Sequence, residues 1–136
     1  MDAIDEKIIE MLRLNSRESF ATIGKSLDLS PQAIGKRVKL LENQGVILGY
    51  SLRLNHEKLG YNTKAYITLK VHQSSTIRTA YNQIKTFDEV ESCDQITGDS
   101  SLCIIAYFKN NKGLVYMLER ISHYGVPSTS IVLDYL

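Results

Sequence analysis

Apolar residues recur every three or four positions through the first third of the chain, which is the period of an α-helix. The pattern predicts three helices, over residues 3–14, 20–27 and 31–43, with short polar connections between them. Ser19 and Ser30 stand directly before the second and third helices, where a serine side chain caps the first turn. A helix, a short helix, a tight turn and a longer helix form, in this order, a helix-turn-helix unit.

The third predicted helix follows a turn at Asp28, a residue type that tolerates left-handed backbone better than most. One face of this helix is an apolar stripe made of Ile34, Val38 and Leu41. The opposite face has two cations, two amides and no acid: Gln32, Lys36, Lys39 and Asn43. Taken alone, the helix is better explained as an ordinary amphipathic helix with a solvated polar face. Its surroundings decide whether it enters the major groove of DNA.

Residues 46–54 contain two short strand-like pieces around Gly49, which predict a hairpin. Such a hairpin is the wing of a winged helix-turn-helix domain. Tyr50 and Arg53 are then candidates for contact with the DNA backbone, although an exposed hairpin with solvated polar groups explains them nearly as well. Residues 55–62 have the composition of a connector.

The second half of the chain changes to the alternating period of β-strands. Strand and helix patterns follow one another in the order strand-helix-strand-strand-helix-strand, which is typical of a ferredoxin-like α+β sandwich. The predicted strands are 64–71, 90–97, 102–108 and 128–135, and the predicted helices are 77–87 and 111–124, the second ended by Gly125-Val126-Pro127. We therefore predict a winged helix-turn-helix domain over 1–54, a linker over 55–63 and a ferredoxin-like domain over 64–136. We expect the uncovered sheet face to pair with another copy, because Tyr66, Ile104 and Val132 add apolar surface there.

The chain has 136 residues and a formal net charge of +1, which gives no global electrostatic argument for nucleic acid. Residues 1–50 hold seven Lys or Arg and seven Asp or Glu, so any DNA contact must come from local placement of cations. No signal peptide is apparent, and no apolar run approaches membrane-spanning length. We expect a cytoplasmic protein without a membrane partner.

The two cysteines, Cys93 and Cys103, lack the spacing of a zinc site. They are more simply explained as two small buried side chains than as a redox pair. The three histidines, His56, His72 and His123, are scattered. No metal and no cofactor is predicted.

Several fragments stand in an order and spacing that is specific in combination. They are Ile4-Asp5-Glu6-Lys7-Ile8-Ile9, Leu29-Ser30-Pro31, Arg37-Val38, Leu41-Glu42, Gly45-Val46-Ile47, Gly49-Tyr50 and Ile96-Thr97-Gly98-Asp99. With these fragments, over almost its whole length, the chain resembles the Lrp/AsnC (feast/famine) family of prokaryotic transcription regulators. The resemblance implies a winged-helix DNA reader joined to a ligand-binding domain, assembled as homodimers and often as octamers.

The resemblance also implies that an amino acid or related small effector binds between dimers, near the Gly-Asp turn and the final strand. Carried over by position, the effector site comprises Gly98, Asp99 and Ser101, with Thr129, Ser130, Ile131 and Val132 opposite. Turn amides can take a carboxylate and Asp99 can meet an ammonium group, whereas the alternative for Asp99 is a turn residue that caps its own backbone. Many family members have a second acidic residue where this chain has Ser101, so the charge of the implied pocket differs from theirs.

The leading hypothesis is a sequence-specific DNA-binding transcriptional regulator that is not an enzyme. Its candidate DNA contacts are Ser30, Gln32, Gly35, Lys36, Arg37, Lys39, Tyr50 and Arg53. Gly35 is expected to allow close approach to the duplex, and Arg37 either reaches a phosphate or pairs with an acid of the first helix such as Asp5. One alternative is an enzyme similar to the sirohaem decarboxylases, which share this architecture, and another is an effector-independent assembly module.

Overall fold

The computed structural model describes residues 1–134, and the chain divides into two compact units, Met1–Arg53 and Leu54–Leu136. The first, which we call the helical unit, contains α1 (Ala3–Leu14), α2 (Phe20–Leu27) and α3 (Pro31–Asn43). The helix bounds agree with the predicted ones because each helix begins at a side chain that satisfies its first turn. Asp2 accepts a hydrogen bond from the Asp5 N–H, Ser19 from the Thr22 N–H, and Ser30 from the Ala33 N–H.

Two residues, Asp28 and Gly24, allow the tight turn between α2 and α3. Asp28 is left-handed, with φ 54°, as its residue type allows. Gly24 lies so close to the turn that a Cβ built on it would stand 2.3 Å from the Leu29 carbonyl oxygen. The helix-turn-helix arrangement therefore depends on a glycine in α2 as well as on the turn residue itself. The three helices enclose a small core made of Ile8, Leu12, Ile23, Ile34 and Val38.

The predicted wing is wrong: among residues 1–134, none between Asn43 and Thr63 is in a strand. After α3 the chain turns at Gly45, and the N–H groups of Val46 and Ile47 both donate to the Leu41 carbonyl. Ile47 then packs against the helical core, whereas Leu48 is 93% exposed. An isolated two-stranded hairpin is marginally stable without an apolar face to cover, and this segment buries too little to form one.

The second unit, which we call the sheet unit, contains the predicted ferredoxin-like order. Its elements are β1 (Thr63–Val71), α4 (Ile77–Ile84), β2 (Val90–Gln95), β3 (Leu102–Phe108), α5 (Asn111–Ile121) and β4 (Gly125–Ile131). Short 3₁₀ turns occupy Glu57–Leu59 and Ser74–Thr76. The four strands form one antiparallel sheet in the order β2-β3-β1-β4.

Both helices of this unit pack on one face of the sheet. They meet the inward side chains of β1 and β3 in a core that includes Ile67, Leu69, Ile104, Phe108 and Met117. Ile104 was expected on the uncovered face, but the register places it opposite Ile67 and it is fully buried under the helices. Tyr66 does lie on the opposite face, where it is 40% exposed.

The last helix is shorter and the last strand begins earlier than predicted. The segment Gly125-Val126-Pro127 was expected to end α5 but forms the start of β4, paired with β1 from Val71 to Leu69. A Cβ built on Gly125 would stand 2.1 Å from the Lys70 carbonyl oxygen, so only glycine allows the two strands to approach here. The predicted end of this strand at Tyr135 lies outside the described residues. Within residues 1–134, no helix is long and apolar enough to cross a membrane.

Candidate nucleic-acid interface and effector region

α3 presents the two faces that its sequence predicted. Ile34, Val38 and Leu41 are buried, and the opposite side chains are exposed: Gln32, Lys36, Lys39 and Asn43. We call these four residues the outward face. Leu40 is also exposed beside them and was not among the predicted contacts. Ser30 is the N-cap of α3, and its hydroxyl oxygen accepts the Ala33 N–H at 3.1 Å.

Arg37 lies on one flank of α3, where it is engaged within the protein. Its Nη1 is 2.8 and 2.9 Å from the two carboxylate oxygens of Asp2, and 3.0 Å from Asp5 Oδ1. Of the two roles that the sequence left open, the structure therefore shows the ion pair with the first helix. The guanidinium, through hydrogen bonds and charge, lowers the pKa of Asp2 to about 2, and the two carboxylates raise the pKa of Arg37.

Gly35 lies on the other flank of α3 and faces the protein. A Cβ built on it would stand 3.4 Å from the ring of Phe20, at the start of α2. The expected role of Gly35, close approach to a duplex, has no support in this arrangement, because the glycine faces the Phe20 ring of the same unit. Sequence spacing could not show this, since the partner comes from another helix.

Tyr50 and Arg53 line a cleft of about 530 Å³ between the end of α1 and the extended segment after α3. The Tyr50 hydroxyl donates to Glu42 Oε1 at 3.1 Å. Partial burial, together with the Glu42 carboxylate, raises the pKa of Tyr50. Because the predicted hairpin is absent, these two residues are not presented on a wing.

The predicted effector turn lies between β2 and β3. Gly98 is left-handed, with φ 107°, and Asp99 is exposed. Within residues 1–134 the Asp99 carboxylate accepts no hydrogen bond, so the alternative in which it caps its own backbone is not seen. Ser101 is different: its N–H donates to the Leu69 carbonyl, and its hydroxyl oxygen accepts the Val71 N–H at 3.3 Å. Its side chain therefore helps to hold the turn against β1.

The two halves of the predicted effector site do not meet within one chain. The turn stands beside Leu69 and Val71, whereas Ile131 pairs with Ala65 and Thr129 with Ile67. Ile131 is four residues from Pro127, the β4 residue level with Leu69, or about 13 Å along the strand. Ser130 pairs with Tyr66 on the uncovered face, and the Val132 N–H donates to the Lys64 carbonyl.

The two cysteines are free and lie on opposite faces of the sheet. Cys93 pairs with Ile104 and packs in the helix-covered core, whereas Cys103 pairs with Asp94 one position away. Burial, with a further contribution from Asp94, raises the pKa of Cys93 to about 11. The prediction of a small buried side chain holds for Cys93, and Cys103 is half-buried.

Family models match both units of the chain. Residues 1–42 match the AsnC-type helix-turn-helix domain, and residues 64–135 match the Lrp/AsnC ligand binding domain. The chain belongs to the Lrp/AsnC family of transcriptional regulators. It is accordingly a DNA-binding regulator with a ligand-binding domain.

Individual members of the family resemble this chain in both sequence and structure. The transcriptional regulator Ptr1 of Methanocaldococcus jannaschii is 33% identical over 122 residues, which are 89% of this chain and 82% of that protein. The solved structure of LrpC from B. subtilis has a TM-score of 0.88 at 26% identity and covers all of this chain and 96% of that one. The complex of the regulator NMB0573 from Neisseria meningitidis with L-Met has the same TM-score and identity, and covers 100% of this chain and 92% of that chain.

The Lrp/AsnC relatives are regulators and not enzymes, which argues against the alternative of an enzyme similar to the sirohaem decarboxylases. The histidines are nevertheless less scattered than the sequence suggested. His72 and His123 line one cleft of about 380 Å³, while His56 lies elsewhere, stacked on Tyr107 with ring centroids 3.6 Å apart. Among residues 1–134, no group of three or more His, Cys, Asp or Glu side chains could hold a metal ion.

Proposed function

We propose that this Lrp/AsnC regulator reads specific DNA sequences with the outward face of α3. One observation carries the proposal: all four outward residues are exposed and none is acidic, while the residues on both flanks of the helix contact other parts of the helical unit. The nearest acid along the helix, Glu42, accepts the hydrogen bond from Tyr50. The outward face is therefore a compact surface of positive charge and amide groups.

The chemistry of this face suits the major groove. A lysine ammonium can donate to guanine O6 and N7, and a glutamine amide can pair with adenine. In a homodimer the two copies of α3 would enter successive major grooves about 34 Å apart. Ser30, Tyr50 and Arg53 remain secondary candidates for backbone contact.

Charge reversal tests this proposal. In the full chain, Lys36→Glu/Lys39→Glu should weaken binding to a cognate duplex by about a hundredfold or more, because two cations that would face the polyanionic duplex become anions. The duplex is selected from a random library by the unaltered protein. Lys85→Glu/Lys112→Glu makes the same charge change at exposed positions of the sheet unit, and should have little effect. Equal loss in both variants, or loss in neither, would show that α3 is not the reader.

We also propose that a free amino acid binds at the Gly98-Asp99 turn. Two facts support this: Asp99 is exposed without an internal partner, and the related NMB0573 structure contains L-Met. Because Thr129, Ser130, Ile131 and Val132 lie away from the turn of the same chain, the opposite wall of the site would come from another copy. Because Ser101 is uncharged and its hydroxyl oxygen already accepts the Val71 N–H, Asp99 is the acidic residue of this turn that would meet the ammonium group.

Thermal unfolding in the presence of each standard amino acid tests the effector proposal. A bound ligand raises the midpoint by mass action, and Asp99→Asn should remove the rise. The Ser100→Ala variant is the matched control in the same turn. No rise with any amino acid would favour a member that works without this class of effector.

The assembly proposed is a homodimer through the uncovered sheet face, with higher assembly to an octamer, in the cytoplasm. Tyr66 is the most exposed large apolar side chain on β1 of that face. Tyr66→Glu should shift the mass measured by sedimentation toward the monomer. Tyr116→Glu, at an exposed position on α5, should not.

A further inference from the structure

Arg37 stands between the buried and the outward faces of α3. Its side chain is 31% exposed, and its Nη1 donates to both carboxylates of Asp2 and Asp5 within 3.0 Å. Asp5 is the more buried acid, at 14% exposure. The guanidinium is therefore directed along the surface of the protein toward α1.

The two acids already have another task, because they form the capping box of α1. Asp2 Oδ1 accepts the Asp5 N–H at 2.9 Å, and Asp5 Oδ2 accepts the Asp2 N–H at 3.2 Å. The other carboxylate oxygen of Asp5, Oδ1, accepts the hydrogen bond from Arg37. Arg37 thus joins the middle of α3 to the hydrogen-bonded first turn of α1.

We propose that Arg37 is a positioning residue for DNA recognition, which fixes the rotation of α3 through Asp2 and Asp5 and makes no phosphate contact. This inference rests on the proposed reading of DNA by α3. Hydrophobic burial of Ile34 and Val38 is not directional, so burial alone does not set the angle at which the outward face is presented. The ion pair on one flank, with the Phe20 ring against Gly35 on the other, supplies that direction.

Electrostatics argues against a direct phosphate contact by Arg37. A phosphate approaching the guanidinium would also approach two carboxylates that lie 2.8–3.0 Å from it. One positive and two negative charges at that site repel an anion at close range. The two roles therefore make opposite predictions for variants that remove the acids.

The decisive variant is Asp2→Asn/Asp5→Asn, which changes no residue of α3. Asparagine remains a good N-cap at position 2, and an asparagine amide oxygen at position 5 can still accept the backbone N–H of residue 2, so α1 should keep its first turn. Removal of two negative charges would by itself strengthen DNA binding, and it would free Arg37 for a phosphate. Under our proposal, the same variant instead weakens binding to the selected duplex by about tenfold, the cost of one misplaced base contact.

Salt dependence separates positioning from contact for Arg37 itself. Arg37→Gln should weaken binding to the selected duplex about as much as the double variant, with the slope of log Kd against log salt unchanged. Lys39→Gln, on the outward face, should reduce that slope by about one. Ile23→Val removes one buried methyl group from the core of the helical unit and controls for general destabilisation of that unit, so its affinity should equal that of the unaltered protein.

All variants are measured as full chains at a temperature where circular dichroism shows them folded. A slope lowered by about one in Arg37→Gln, or a double variant that binds as tightly as the unaltered protein, would overturn the positioning role. If Lys39→Gln and Lys36→Glu/Lys39→Glu also leave binding unchanged, the reading of DNA by α3 fails first. The two failures are therefore distinguishable.

Discussion

The helical unit and the sheet unit are held together in different ways. In the helical unit a small core of five buried residues is accompanied by three side-chain caps and the Arg37 ion pairs. In the described part of the sheet unit, residues 54–134, thirteen buried residues form one core between two helices and four strands. Its ion pair between Arg120 Nη2 and Glu89 Oε2 measures 3.7 Å, which is longer than the 2.8 and 3.0 Å of the Arg37 pairs with Asp2 and Asp5.

This difference indicates a difference in task. Apolar burial is strong but without direction, while hydrogen bonds and ion pairs fix angles. The sheet unit obtains its geometry from strand register and can rely on burial. The helical unit has no register, so its polar contacts determine how α3 is presented.

The largest expected effects come from alanine substitutions in the cores of the two units. Ile104→Ala and Ile23→Ala remove the same atoms from fully buried positions, one in each unit. Each should lower the free energy of unfolding of its own unit by about 2–5 kcal/mol, with Ile104 near the upper end because the surrounding sheet cannot collapse into the cavity. Denaturant titration followed by amide signals of each unit measures both. A larger loss for Ile23→Ala would reverse the comparison.

A second pair of substitutions compares two glycines within the helical unit. Gly24→Ala places a Cβ against the Leu29 carbonyl, and should cost about 1–3 kcal/mol through forced backbone movement. Gly35→Ala meets only the ring of the partly exposed Phe20, while alanine gains about 1 kcal/mol in helix propensity, so its stability should be unchanged or higher. Thermal unfolding midpoints report both. Similar losses in the two variants would mean that the Phe20 ring cannot move aside.

Helix caps provide a smaller and more even comparison. Ser30→Ala in α3 and Asn110→Ala in α5 each remove one cap hydrogen bond, of 3.1 and 3.2 Å. Each should cost about 1 kcal/mol of unfolding free energy. Only Ser30→Ala should also weaken DNA binding, as measured by fluorescence anisotropy. Weakened binding in Asn110→Ala would show that the two units are not independent in this respect.

The smallest effect is a pH dependence confined to the helical unit. The Arg37 guanidinium lowers the pKa of Asp2 to about 2 in the folded state, against about 3.9 for an unperturbed aspartate. Stabilisation by Asp2 is therefore complete above about pH 4 and is lost as the pH falls toward 2. Between pH 5 and 2, the free energy of unfolding of the unaltered protein should fall more steeply with decreasing pH than that of Asp2→Asn. Parallel curves would contradict a role for this carboxylate.

The sequence predicted most of the fold because its signals are local. Ser19 and Asp28 mark where α2 begins and ends, Ser30 marks where α3 begins, and the helical period assigns the buried faces. Where a local signal was ambiguous, the prediction failed. Gly125 was predicted to end a helix. In the structure it lies in β4, where the absence of a side chain allows the backbone of β1 to come close.

The candidate site was predictable only in part, because flanks and registers are set by distant residues. Helical spacing correctly separated the outward face of α3 from its buried face. It could not show that Arg37 meets Asp2 or that Gly35 lies under Phe20, since both partners belong to other helices. The distance between the Gly98 turn and Ile131 likewise follows from strand pairing, which periodicity does not reveal.

The placement of the two cysteines gives the protein a natural reporter position. Cys93 is 7% exposed, and its thiol, with a pKa of about 11, is almost wholly protonated at neutral pH. A maleimide or a spin label should therefore attach to Cys103 first, on the sheet face away from the helices. A single label on the unmutated chain then records whether a second molecule covers that face, and how a change of DNA or amino-acid concentration alters the distance between two such labels.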